Sequence, residues 1–271
     1  MAPSDGTSVR PAGSSVGGVL IAAYGVVVYV MFQLTFLYLI GFVADADIMV
    51  GGVHLVGKSV DRGGLGDGTL TVTAVIVDVL LLALFAIQHS VMARAGFKRW
   101  LTRVVPHSAE RSTYVLAANI CLIVLLAAWY PIAHDIWRVT AQPWRTVLTA
   151  TALVGWAIVL LSTFLIDHFD LFGLRQVHAR LRGRQLAGHD FRTPLFYRAV
   201  RHPIYLGFLI AFWATPRMTL GHLIFAAVMT GYILFAVRFE ERDLIRAFGE
   251  QYHDYRRRVP MLIPGLGHHH P

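Results

Sequence analysis

Two polar stretches near the C-terminal end carry the residue types that chemistry needs. The first, Arg201-His202-Pro203-Ile204-Tyr205-Leu206-Gly207, opens an apolar run. Proline suits the first turn of a helix. The free N–H groups and positive dipole end of such a turn suit an anionic group such as a carboxylate. Arg201 adds a bidentate donor for the same group, Tyr205 a ring and a hydroxyl, and Gly207 room for close approach to the backbone. The second, Arg238-Phe239-Glu240-Glu241-Arg242-Asp243-Leu244, closes the next apolar run. Adjacent carboxylates at a helix C-terminus oppose the helix dipole and call for a partner. Each motif alone also suits an interfacial belt or a solvated surface pair. Between them, 204–215 and 218–238 read as a helical hairpin turned at Thr215-Pro216. Closing the hairpin brings Glu240 to His202, and the two motifs then describe one site for a ligand carrying both charges.

Two further constellations lie upstream. Asp78, Leu82, Phe85 and His89 share one helical face. An aspartate at membrane depth is costly and turns to the bundle interior, for an interhelical hydrogen bond or for function. Asp167-His168-Phe169-Asp170-Leu171-Phe172-Gly173-Leu174-Arg175-Gln176 stands where an apolar run ends. Its carboxylates and histidine suit an active site, an interfacial cap or a metal. No second ligand cluster follows, so no metal site is expected.

These residues need a membrane scaffold. The 271-residue chain is 56% apolar and 15% charged, where soluble domains are nearer one quarter charged. Runs over 17–43, 70–92, 113–133, 145–166 and 218–238 are long enough to span. With the short run 204–215, the expected fold is all-α: a polytopic transmembrane helical bundle of five to six spans with a C-terminal hairpin. Residues 1–16 form a flexible N-terminus, 17–166 four N-terminal spans, 167–264 the cofactor-binding part and 265–271 a tail. The first apolar run is too long for a cleaved signal peptide and is read as a retained span.

Lys and Arg number five in 93–111, seven in 167–203 and six in 238–258, against five in all the opposite connections together. Six segments with both termini cytoplasmic satisfy the positive-inside rule. Every polar motif then lies on the cytoplasmic side of the membrane. The net charge of +8 is assigned to loops facing anionic lipid rather than to nucleic acid. The lone Cys121 excludes an intrachain disulfide or a cysteine metal site. Gly63-Gly64-Leu65-Gly66-Asp67-Gly68 has no preceding strand and reads as a loop, not a phosphate cradle. No function is assigned to His268-His269-His270, and the oligomeric state is not legible.

The pattern Tyr197, His202-Pro203, Tyr205, Gly207, the hairpin, Glu240-Glu241, Leu244, Phe248-Gly249, Tyr252, Tyr255 and Val259-Pro260 resembles the membrane superfamily of isoprenylcysteine carboxyl methyltransferases and phospholipid methyltransferases. A closer resemblance, to the bacterial methanethiol S-methyltransferases, runs through Gln88-His89-Ser90-Val91-Met92-Ala93-Arg94, Glu110-Arg111-Ser112-Thr113-Tyr114, His168 to Gln176, and Phe212-Trp213-Ala214-Thr215-Pro216. The resemblance implies S-adenosyl-L-methionine as cofactor. It implies methanethiol as substrate, giving dimethyl sulfide, and hydrogen sulfide as a second acceptor, giving methanethiol. By the same resemblance His189, Asp190, Phe191, Arg192, Tyr197, His202, Pro203, Ile204, Tyr205 and Glu240 match cofactor-binding positions, to which the residue reading adds Arg201, Gly207 and Glu241. Asp190 and Arg192 replace a threonine-and-valine type pattern. Ala236 falls where the prenyl enzymes carry a substrate arginine, which favours an acceptor other than a prenylcysteine carboxylate.

Methyl transfer to sulfur needs a thiolate, so a proton acceptor is expected: His89 or His168, oriented by Asp78, Asp167 or Asp170. Rival readings are a lipid-amine or prenylcysteine methyltransferase and a non-enzymatic transporter or redox-associated subunit using Asp78.

Overall fold

The computed structural model describes residues 16–63, 71–184 and 191–265. It is a helical membrane bundle in which five helices are long and apolar enough to cross a bilayer: α1 (Val16–Val43), α2 (Val72–Ala93), α4 (His107–Ala128), α5 (Trp144–Ile166) and α10 (Leu220–Phe248). The chain is an integral membrane protein. Short helices join them: α3 (Ala95–Leu101), α6 (His168–Leu171), α7 (Leu174–Leu181), α8 (Phe196–Ala199), α9 (Pro203–Trp213) and α11 (Glu250–Arg258). Two small antiparallel pairs, β1 (Met49–Val50) with β2 (Val53–His54) and β3 (Asp135–Arg138) with β4 (Arg217–Thr219), lie outside the spans. Neither pair was expected. Both are too short to leave a periodic signal.

Threonine caps fix two starts: Thr71 accepts from the Ala74 N–H and Thr219 from the His222 N–H. The core joins Phe42, Leu82, Leu125, Trp129, Trp156, Phe212 and Phe225. Trp129 also donates its indole N–H to the Val60 carbonyl at 3.1 Å, pinning the first long loop over that end of the bundle.

The hairpin forms, in modified shape. Eleven residues make α9 only about 16 Å long, half the hydrocarbon thickness. Its ends nonetheless meet opposite ends of α10. His202 approaches Glu241, while the Phe212 carbonyl accepts from His222 Nε2 at 2.9 Å. The second arm does not stop at 238. It continues as one 29-residue helix, so Glu240 and Glu241 ride on the polar extension of a span rather than on a separate loop.

Gly207 has a different use from the one expected. A Cβ there would lie 2.7 Å from the Gly155 carbonyl and 2.9 Å from the Val159 nitrogen. The backbone that approaches Gly207 is that of α5, in the small-residue packing that membrane helices use.

Candidate functional site

The two polar motifs meet where α9 begins. Pro203 occupies the first turn of α9 behind His202. His202 is 96% buried, with Nε2 3.3 Å from Glu241 Oε1 and Nδ1 3.8 Å from Glu240 Oε2. The adjacent carboxylates differ because neighbouring helical residues point about 100° apart. Glu241 is buried and held by Arg201 Nε at 2.7 Å and Arg256 Nε at 3.3 Å. Glu240 is half exposed, and among the described residues its one ion-pair contact is His202.

Arg201, expected to meet a ligand carboxylate, instead ties down the C-terminal segment. Besides Glu241, its guanidinium donates to the carbonyls of Arg256 at 3.2 Å and Val259 at 2.5 Å, while its backbone N–H donates to Pro260. Arg201 and Glu241 therefore build the wall, while Glu240, within hydrogen-bonding reach of Tyr205 and near His202, still exposes its carboxylate to a ligand.

The segment so held is aromatic. Phe191 packs against Phe248, Tyr252 and Tyr255 with centroids 5.2, 6.0 and 5.4 Å away. Tyr255 donates its hydroxyl to the Tyr197 carbonyl. The hydroxyls of Tyr197 and Tyr252 are buried without a partner among the described residues. Burial raises the pKa of both phenols and pushes Tyr255 up to about 12, so all three remain donors at neutral pH. Arg192 adjoins Phe191. His189 and Asp190 lie outside the described residues. Ile204 and Tyr205 follow Pro203 in the first turn of α9, and Tyr205 is within electrostatic reach of Glu240, Tyr232 and Tyr114.

Tyr114 connects this centre to His89. Its hydroxyl lies 3.0 and 2.9 Å from the two ring nitrogens of His89 and 3.4 Å from the His89 carbonyl. Phe85 stacks on His89 at 5.3 Å, Tyr232 stands edge-on to Phe85 at 6.5 Å, and Ser90 donates to the Tyr232 hydroxyl at 3.4 Å. Arg94 sits 4.4 Å over Phe239 and 3.5 Å from Asp243, which fastens the end of α2 to α10.

The expected orienting carboxylates are elsewhere. Asp78 is fully buried, two turns into α2, and accepts the Tyr130 N–H at 2.9 Å. Eleven residues of helix put it about 16 Å from His89. Asp167 caps α6 through the Asp170 N–H and pairs with Arg175 at 2.7 Å. Asp170 accepts from Gln176 at 3.0 Å and faces Arg111 at 3.9 Å. Gly173, at φ +84°, packs onto the start of α4, where a Cβ would lie 2.9 Å from the Ser112 nitrogen.

His168 is held by hydroxyls as well: Tyr29 on Nε2 at 2.9 Å and Thr163 on Nδ1 at 2.8 Å. Neither histidine is paired with a carboxylate among the described residues. Burial lowers the pKa of His168. Among the described residues no three metal-ligating side chains converge. An apolar groove of about 490 Å³ between α1 and α7 reaches Asp167 and Arg175 but none of the residues around His89 or His202.

Tyr232 went unnoticed in the sequence because it is one phenol inside an apolar run. Its only signal is helical spacing, eight residues before Glu240 on the same face.

Known proteins can be set beside this geometry. The chain is 50% identical to methanethiol S-methyltransferase 2 of Bradyrhizobium diazoefficiens over 91% of its length and 90% of that relative. It is 50% identical to methanethiol S-methyltransferase of Mycobacterium tuberculosis over 90% of its length and 96% of that relative. The chain belongs to the methanethiol S-methyltransferase family. More distant is Nurim of Xenopus laevis, 31% identical over 62% of the chain. No family model and no solved structure matches. The family resemblance seen in the motifs thus extends along nine-tenths of the chain, including α2 and α4, which carry His89 and Tyr114.

Proposed function

We propose that the protein methylates methanethiol to dimethyl sulfide, with S-adenosylmethionine as methyl donor, and accepts hydrogen sulfide as a second thiol. Membership of the methanethiol S-methyltransferase family supports the acceptor. The single observation that carries the donor is the convergence of Glu240, His202 and the buried Tyr197 hydroxyl, which has no partner among the described residues, beside the aromatic wall of Phe191.

Those residues fit the donor's chemistry. The half-exposed Glu240 carboxylate suits an ammonium or a ribose hydroxyl, and the Tyr197 hydroxyl needs a polar partner. Phe191, with the tyrosines behind it, offers a flat apolar face to an adenine. The N–H groups at the start of α9 suit a carboxylate, the role first given to Arg201. His189, Asp190 and Arg192 belong to the same loop by family resemblance. When bound, S-adenosylmethionine supplies an electrophilic methyl group.

The chain's own part is to hold the acceptor in line, exclude water and take a proton. Residues 167–264 then form the donor half, and the spans in 17–166 contribute the acceptor half through α2 and α4. The basic connections favour the cytoplasm for this face, while a small apolar thiol arrives through the bilayer.

The test is headspace gas analysis of purified protein with methanethiol and methyl-labelled donor, beside calorimetric binding of S-adenosylhomocysteine. Labelled dimethyl sulfide with saturable binding is expected. Absence of both would remove the reading.

A further inference from the structure

We propose that the acceptor thiol is received between Phe85, His89, Tyr114 and Tyr232, that His89 takes its proton, and that Tyr114 is the positioning residue that sets the His89 tautomer. The assignment rests on the methyltransferase reading above and goes beyond it by choosing between two histidines that look alike in sequence.

His168 has no nitrogen left for a substrate. Thr163 spends its only hydroxyl proton on the Leu160 carbonyl at 2.7 Å, so it accepts from His168 Nδ1–H at 2.8 Å. Nε2 is then the unprotonated nitrogen, and Tyr29 donates to it at 2.9 Å. A neutral imidazole has one donor and one acceptor, and both are used. Phe164 stacks on the ring at 4.0 Å, Phe172 tilts against it at 4.8 Å, and the residue is 97% buried. This histidine is a saturated packing element.

His89 is different. One hydroxyl, that of Tyr114, stands between its two nitrogens at 3.0 and 2.9 Å. A single hydroxyl cannot bond both in line. The His89 carbonyl, 3.4 Å from the same hydroxyl, is an acceptor for its proton. The Tyr114 oxygen then accepts the ring N–H, and the lone pair of the other nitrogen has no further donor among the described residues. Phe85 closes one face of the ring, and Tyr232 flanks Phe85. Phe85, His89, Tyr114 and Tyr232 are each only partly buried, which leaves the ring open to a small apolar molecule with one acidic hydrogen. The ionisable groups around the pair are Tyr232 and Glu240 from α10, Tyr205 from α9, Glu110 and Arg111 from α4, and Arg94 at the end of α2.

In the reaction the thiol S–H bond breaks and its proton passes to His89. The sulfur's electron pair forms the new S–CH3 bond. The methyl carbon's bond to the donor sulfonium breaks, and that electron pair stays on the departing sulfur, which leaves uncharged. The imidazolium then releases the proton to water.

The test combines His89→Asn, Tyr114→Phe and His168→Asn in purified full-length protein. S-adenosylhomocysteine binding, read by calorimetry, is expected to stay within about threefold for the first two, since the donor half is elsewhere. For His89→Asn, kcat/KM for methanethiol is expected to fall on the order of 10²–10⁴-fold and the acid limb of the pH profile to vanish. Tyr114→Phe is expected to lose roughly tenfold in kcat/KM, to displace the acid limb, and to change the 15N imidazole shifts that report the His89 tautomer. His168→Asn should lower thermal stability and keep the acid limb in place.

Wild-type turnover undiminished in His89→Asn overturns the assignment of the base. An unmoved limb and unmoved 15N shifts in Tyr114→Phe overturn the positioning role, even if His89→Asn fails to fold. No dimethyl sulfide from the wild type overturns the underlying reading and this assignment with it.

Discussion

At the scale of single residues, identity and neighbourhood separate roles that sequence leaves joined. Glu240 and Glu241 are adjacent, yet Arg201, Arg256 and His202 consume the second and leave the first half exposed. Glu240→Gln should therefore weaken S-adenosylhomocysteine binding about tenfold, by losing a charge-assisted contact, while the melting temperature stays within a degree or two. A large fall in melting temperature with unchanged affinity would assign Glu240 to the wall instead. Phe85 makes a second residue-scale prediction, because its ring stacks on the His89 imidazole at 5.3 Å. Truncation to Phe85→Ala should relax selection against longer thiols. One methylene in an apolar pocket is worth about 1–3 kcal/mol, so relative kcat/KM for ethanethiol over methanethiol should rise roughly tenfold in headspace competition. An unchanged ratio would place the acceptor away from this ring. The candidate histidines were legible in the sequence as types. Their difference was not, because it depends on which hydroxyls surround each ring, and those come from α1 and α5 in one case and α4 in the other.

At the scale of elements, hydropathy marks spans well and ends them poorly. The five long helices follow from apolar length. The continuation of α10 to Phe248 escaped because hydropathy falls at Arg238, although Glu, Arg, Leu and Ala all favour helix. That continuation is what places Glu241 on Arg201. The short α9 depends on α5: Gly155 and Gly207 bring their backbones together where either Cβ would stand 2.7 Å from a carbonyl oxygen. The close approach was visible as a glycine beside the motif, but its partner on α5 could not be read from spacing alone. Gly207→Ala should cost about 1–3 kcal/mol, as overpacking does, and should lower donor affinity too, since α9 carries His202 and Tyr205 into the site. Thermal unfolding in detergent and calorimetry on the same sample check this. Normal stability and affinity would mean that α5 and α9 separate freely.

At the scale of the whole molecule, the two ends of the bundle are built for opposite purposes. The end holding α9's start carries an aromatic wall and buried hydroxyls that have no partner among the described residues. The other end is closed by charge: Arg62 binds Asp45 at 2.8 Å, Arg217 binds Asp135 at 2.8 Å, and Thr219 donates to the buried Asp61, itself 3.8 Å from Arg217. These links tie the first long loop, β3 and β4 into one cap, so the bundle is fixed at the end away from the site. Burial raises the Asp61 pKa from its ordinary value to about 6. The folded state therefore binds a proton that the unfolded chain releases near pH 4. Stability from this group is fully present below about pH 4, falls as pH rises, and is gone above about pH 6, a change on the order of 3 kcal/mol. Asp135, held below its usual value by the Arg217 hydrogen bond, acts in the opposite sense and only at lower pH. Asp61→Asn keeps the acceptor for Thr219 and cannot ionise, so it should flatten thermal stability between pH 4 and 6 and leave the variant the more stable protein at pH 7. An Asp61→Asn profile parallel to the wild type would show that Arg217 compensates the buried charge fully.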